Sequence, residues 1–271
     1  MNKNRILVTG SAGFIGYHLA VSLNQSGHGL VLVDNLQRGR MDSEFKELIN
    51  RPNVTYHEAD LTESGVYESV GDGVEQVYHL AAINGTENFY NIPDQVLRVN
   101  VLSTLNLLEW ARDRAVKILF SSTSETYAGT IRLMDGLIPT AEDVPLCIDD
   151  IQNVRWSYGA SKILAEAAFY SYARVCPIQF SIIRYHNIYG PRMGFEHVMP
   201  QFLERILTAQ LPLEVFGGIE TRAFCHVRDA VAATRFVMDS PKTDGEVVHL
   251  SLNPYTAPTR PSRWGLAGLG W

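Results

Sequence analysis

Ile6-Leu7-Val8-Thr9-Gly10-Ser11-Ala12-Gly13-Phe14-Ile15-Gly16 is a short apolar run that breaks into glycines and continues as a helical pattern. A strand that ends in glycines and turns into a helix exposes the helix's free N–H groups. Those groups and the helix dipole bind a pyrophosphate. Gly10 permits the tight turn, Gly13 lets backbone approach the phosphates, and Gly16 lets the helix lie close to the strand. Ala12, Phe14 and Ile15 complete the cradle.

Outward from this stretch, apolar strands alternate with helical patterns. Strands are expected at 5–9, 29–33, 53–57, 75–80, 116–121 and 178–184, and helices at 13–26, 42–49, 63–71, 95–113 and 158–174. Such alternation gives βαβ units and a doubly wound α/β parallel sheet. The strands are Val/Ile/Leu runs without polar alternation, as strands buried on both faces require. Residues 1–185 read as one dinucleotide-binding domain. Residues 186–253 read as a small, shortened, partly interleaved substrate-binding region. It carries helices near 197–209 and 227–239 and strands near 213–216 and 246–250. Prolines and glycines make 254–271 an irregular tail.

Asp34 closes the second strand at close to the ~20-residue separation from the glycines expected of a carboxylate that holds a ribose 2′-hydroxyl. It would repel a 2′-phosphate, so NAD is favoured over NADP. Arg38 and Arg40 weaken that preference unless they lie in a solvated loop. Asn35 follows Asp34. Asp60-Leu61 follows the next strand and suits the adenine edge. Leu80-Ala81-Ala82 after His79 gives a small-residue wall beside a cofactor. Asn100 is placed at a helix start, as a cap or as a cofactor contact.

The chemistry stands in Tyr158-Gly159-Ala160-Ser161-Lys162. Tyr158 and Lys162 share one helix face. A free phenol has pKa ~10, and a nearby ammonium favours the phenolate. Tyr158 is then a usable general base toward a sugar hydroxyl, and Lys162 can also hold the nicotinamide ribose. Phe120 to Tyr127 ends another strand at the carboxyl edge. Thr123 can donate to the reacting oxygen there, Ser124 adjoins it, and Glu125 is either a surface carboxylate or a second proton carrier. Glycine cradle and Tyr–Lys pair together indicate a redox enzyme.

The net charge of −6, from 23 basic and 29 acidic residues among 271, argues against a nucleic-acid binder. No apolar run reaches the ~18 residues of a membrane span. Cys147, Cys176 and Cys225 have no metal-ligand spacing, so no metal is expected and the thiols read as reduced in a cytoplasmic protein.

These motifs resemble the extended short-chain dehydrogenase/reductase family, in particular its NAD-dependent nucleotide-sugar epimerases and dehydratases, from about residue 5 to about residue 252. Further marks are Arg184-Tyr185-His186-Asn187-Ile188-Tyr189-Gly190-Pro191 and Thr221-Arg222-Ala223-Phe224. The resemblance implies a Rossmann domain with bound NAD, touched also by Tyr185. It implies oxidation at sugar C4 with Tyr158 as base, then epimerisation, dehydration or decarboxylation. Asn187 and Arg222 match positions that hold the substrate diphosphate, which suits arginine. Val198, Asn84 and Gly85 would line the substrate side. The loop from Ile83 to Asn88 has no Arg or Lys for a uronic carboxylate, which disfavours decarboxylation. Ala223 stands where the family has aspartate, and relatives continue further, so the substrate lid is expected to be shortened. The rival readings are an impaired NAD-binding member and a non-catalytic NAD-sensing scaffold. A homodimer through the outer faces of helices 95–113 and 158–174, with Leu164, Ala168 and Tyr172, is also implied.

Overall fold

The structure, a computed structural model, describes residues 5–134, 136–209 and 222–251. The strand expected at 213–216 and the tail at 254–271 lie outside them. Strand β1 (Arg5–Thr9) leads into helix α1 (Phe14–Gln25), then β2 (Gly29–Asp34), α2 (Ser43–Ile49), β3 (Val54–Glu58) and β4 (Val74–His79). There follow α3 (Thr86–Asn91), α4 (Pro93–Ala111), β5 (Lys117–Thr123), α5 (Ala128–Leu133), α6 (Ser157–Tyr172), β6 (Gln179–Tyr185) and β7 (Asn187–Tyr189). The chain continues with α7 (Val198–Leu207), β8 (Phe224–His226), α8 (Val227–Asp239) and β9 (Val247–Leu250).

Among the described residues, seven strands form one parallel sheet in the order β3-β2-β1-β4-β5-β6-β9, and β7 pairs with β8 beside it. The order runs outward in both directions from β1, so a crevice opens where β1 and β4 part at their carboxyl ends. The strand period of two explains the apolar runs. Ile6, Val8, Leu30 and Leu32 pack under α1, α2 and α8, with Leu19, Leu23, Phe45, Val231 and Val237. Leu7, Val31, Val33 and Ile118 pack on the other face, with Leu107, Leu108 and Phe169 of α4 and α6.

One expectation is corrected. The segment 63–71 makes only a 3-10 turn, Val66–Val70, because Gly65 and Gly71 at its ends both adopt positive φ. The region after 186 is interleaved with the sheet. Its β9 extends the main sheet and its α8 packs beside α1 under the same core.

Candidate active site

The glycine turn is built as tightly as its sequence implies. Gly10 has φ +68°, and a Cβ there would lie 2.8 Å from the Ala81 amide nitrogen. A Cβ on Gly16 would lie 2.0 Å from the Gly10 carbonyl, so α1 presses directly on the turn. Helix α1 begins after Gly13 with no side-chain cap, which leaves its first N–H groups for a ligand.

Asp34 is buried at the end of β2. Its Oδ2 accepts from the Ala12 amide at 3.0 Å and its Oδ1 from the Leu36 amide at 2.8 Å. Burial pushes its pKa up, against the pull of these amides. Asn35 turns the loop by accepting from the Gln37 amide, and Asp60 does the same for the Thr62 amide. Leu61 is buried under α4 in the second core.

A directed hydrogen-bond chain fixes the wall of the crevice. The Thr9 hydroxyl accepts from the Leu80 and Ala81 amides and meets His79 Nδ1 at 2.8 Å. His79 Nε2 meets Thr104, whose hydroxyl donates to the Asn100 carbonyl. The network assigns His79 as a neutral ring that accepts from Thr9 and donates to Thr104. Burial lowers its pKa to about 3. Asn100 does not begin a helix, because α4 starts at Pro93, which supplies a preset φ at the first helical position. Asn100 lies two turns inside instead. Its Oδ1 accepts from the Ile83 amide, and its Nδ2 donates to the Ile83 carbonyl and to Ser161 Oγ. It thereby ties the Ala82–Asn84 loop to the helix that carries Tyr158 and Lys162.

Tyr158 is buried with Ile83, Phe89 and Val96. Its ring stacks on Phe89 with centroids 5.2 Å apart, and the Arg155 guanidinium covers Phe89 at 4.7 Å. Burial pushes the phenol's pKa up and the Glu125 charge adds to this, while Arg38 and a hydrogen bond from Asn84 oppose it. The effect expected of Lys162 is therefore carried by Arg38. The Lys162 ammonium donates to the Ser121 carbonyl at 2.8 Å and lies 5.8 Å from the Tyr158 ring centroid. Burial lowers its pKa to about 7, against the attraction of Glu166.

Thr123 ends β5, and its hydroxyl oxygen accepts from the Glu125 amide at 3.3 Å, leaving its proton to donate elsewhere. Ser124 opens the 3-10 turn that follows. Glu125 is neither a free surface carboxylate nor a free base: both its oxygens accept from Arg155 at 2.9 Å. Ser122 donates to Glu166 inside a buried pair with Arg184.

Tyr185 departs from its expected place. Its hydroxyl is bound to Thr234 of α8 at 2.7 Å and its ring belongs to the core under α1, so its side chain does not line the crevice. Asn187 donates to the Ala223 carbonyl across the β7–β8 pair, which brings it beside Arg222. Val198 begins α7 and is exposed, and Gly85 starts α3 with φ +105°. No metal-holding cluster occurs among the described residues. Phe89 and Arg155 were not legible as site residues, and Arg38 was legible only as a cation near Asp34 that bears on the choice between NAD and NADP.

The family model described as NAD dependent epimerase/dehydratase matches residues 6–251. A UDP-N-acetyl-alpha-D-glucosaminuronate decarboxylase of Bacillus cytotoxicus is 34% identical over 251 residues, spanning 92% of this chain and 75% of the relative. A UDP-glucose 4-epimerase of Thermotoga maritima, solved with UDP-glucose, matches with a TM-score of 0.77 and 31% identity, covering 91% of this chain and 76% of its own. A UDP-glucuronic acid 4-epimerase of Bacillus cereus, solved with UDP-glucuronic acid and NAD, matches with a TM-score of 0.78 and 27% identity, covering 91% and 77%. With its cofactor cradle and its matched length, the chain belongs to the NAD-dependent epimerase/dehydratase family of nucleotide-sugar enzymes.

Proposed function

We propose that this chain oxidises C4 of a nucleoside-diphosphate sugar transiently, with Tyr158 as the general base, and that epimerisation is the outcome. The observation that carries the reading is a buried phenol at the carboxyl edge, flanked by Asn84, Arg38 and Lys162. Bound NAD supplies the hydride acceptor, the hydride donor for the return step and a positive ring. Tyr158 takes the C4 hydroxyl proton and gives it back. Thr123 has a proton to donate to the same oxygen. Lys162 would hold the nicotinamide ribose, Asn187 and Arg222 serve the substrate's diphosphate, and Val198 lines the substrate side. Asn84 and Gly85 face the sugar.

The Glu125–Arg155 ion pair favours epimerisation over dehydration. A C5 proton carrier needs a carboxylate free to move, and this one is held at both oxygens. Decarboxylation of a uronic sugar is the second reading, favoured by the name of the Bacillus cytotoxicus relative. Incubation with a panel of nucleotide sugars, read by NMR, separates inverted C4, a 4-keto-6-deoxy product and loss of carbon dioxide. Tyr158→Phe should abolish turnover while NAD stays bound; a fully active variant would refute the base assignment. The rival scaffold and impaired-member readings expect no nucleotide-sugar binding in calorimetry.

We also propose a homodimer through α4 and α6. Leu97 and Leu164 on these helices are exposed, whereas Ala168 and Tyr172 pack against the chain's own core. A monomer mass in light scattering would contradict it.

A further inference from the structure

The loop after β2 carries a cation across the mouth of the crevice. Its backbone is pinned on both sides of Arg38. The Asp34 carboxylate holds the Leu36 amide, and the Arg40 amide donates to the Ala12 carbonyl at 3.2 Å. Gly39 lies so close that a Cβ there would sit 2.6 Å from the Ala12 methyl and 2.7 Å from Asp34 Oδ1. The root of the Arg38 side chain is thus fixed above the glycine turn of β1.

Its tip reaches the other bank. A Cβ on Gly85, in the turn after β4, would lie 3.9 Å from Arg38 Nη2. The guanidinium's charge is felt by Tyr158 on α6 and by His197 in the segment leading into α7, and the Glu196 carboxylate acts on the guanidinium. The residue as a whole is exposed, while packing around the guanidinium lowers its pKa. A guanidinium partly withdrawn from water is stabilised by an anion. Glu196 is exposed, and no ion pair to Arg38 within 4.0 Å occurs among the described residues. Helix α1 supplies N–H groups and a dipole for a dinucleotide's phosphates but no basic side chain, its sequence from Phe14 to Gln25 holding only His18.

We propose that Arg38 is the cation that closes over the diphosphate of bound NAD, bridging the β2 loop and the Gly85 turn above α1. The proposal rests on the cofactor and not on the assignment of Tyr158 as base, so either can fail alone. The fork of a guanidinium suits a diphosphate, because two N–H groups can meet two oxygens at once. It also gives Arg38 a role different from reading a ribose 2′-phosphate, which the buried Asp34 beside it would repel.

Calorimetry on the full chain tests it with NAD, ADP-ribose, adenosine and NADP as probes, on the parent and on Arg38→Met and Arg38→Lys. Loss of a charge-assisted contact should weaken NAD and ADP-ribose by about ten- to a hundredfold in Arg38→Met. Adenosine, which lacks the diphosphate, should bind equally to both. Arg38→Lys should recover part of the loss, and the salt dependence of NAD binding should flatten in Arg38→Met. Circular dichroism shows whether each variant is folded, and an unchanged adenosine affinity shows that the cradle is intact. Equal NAD affinity in parent and Arg38→Met overturns the proposal. So does tighter binding of NADP than NAD that disappears in Arg38→Met, since Arg38 would then be reading the 2′-phosphate.

Discussion

Glu125 and Arg155 face each other through two parallel hydrogen bonds of 2.9 Å, each side chain about a quarter exposed. Arg155 also covers the ring on which Tyr158 stacks. The pair sets the charge that Tyr158 feels, since Glu125 is second only to burial in raising the phenol's pKa. Glu125→Gln removes the negative charge, so the acid limb of kcat/KM should move to lower pH with turnover retained. Arg155→Met leaves the carboxylate unpaired, so the limb should move to higher pH, with roughly tenfold lower activity at neutral pH for each unit moved. Complete loss of activity in Glu125→Gln would instead identify Glu125 as a proton carrier and favour dehydration.

Buried neutral histidines predict acid lability. His79 and His249 are each held at a pKa of about 3, mainly by burial, and His186 is also lowered. His249 stacks on Tyr127, accepts from Arg184 and donates to the Thr140 carbonyl, so the network has no place for a second ring proton. The unfolded chain binds protons near pH ~6.5 and the folded chain does not, so stability falls as pH drops below that value. At pH 5 each of the two rings costs up to about 2 kcal/mol relative to neutral pH. Urea unfolding at pH 7 and pH 5 measures the loss, and His249→Asn should reduce it. Identical midpoints at the two pH values would contradict the assignment.

What one dimension carried was spacing along the chain. The glycine triplet, Asp34 and the Tyr158–Lys162 pair are each local patterns, and the crevice forms where they meet because β1 lies between β2 and β4. What it did not carry was convergence. Arg38 and Gly85 lie on loops after different strands, and Arg155 meets Glu125 only because the turn before α6 packs against the end of β5. Asn100 was read as a helix start, and the core packing of the Tyr185 ring was not foreseen, for the same reason: their partners, Ile83, Ser161 and Thr234, are distant in sequence, so local patterns do not show the clamp that Asn100 makes or the bond that holds the Tyr185 hydroxyl.

Lys162 makes a test of how function costs stability. Its ammonium is buried, with one carbonyl partner, the Phe120 ring at 4.6 Å and a pKa lowered to about 7. An unfolded lysine titrates near ~10.4, so between about pH 7 and that value the unfolded chain binds the extra proton. This group therefore makes stability rise with pH across that window, by up to ~1.4 kcal/mol per unit. Lys162→Met should remove that contribution, flattening the dependence of unfolding free energy on pH from 7 to 9 while abolishing turnover. Selective NMR of the lysine Nζ should show a midpoint near 7 in the ligand-free parent, moving upward when an anionic partner reaches the ammonium. A midpoint above 10, with parallel pH profiles in parent and variant, would mean that the ammonium is hydrated and that the crevice is more open than these contacts allow.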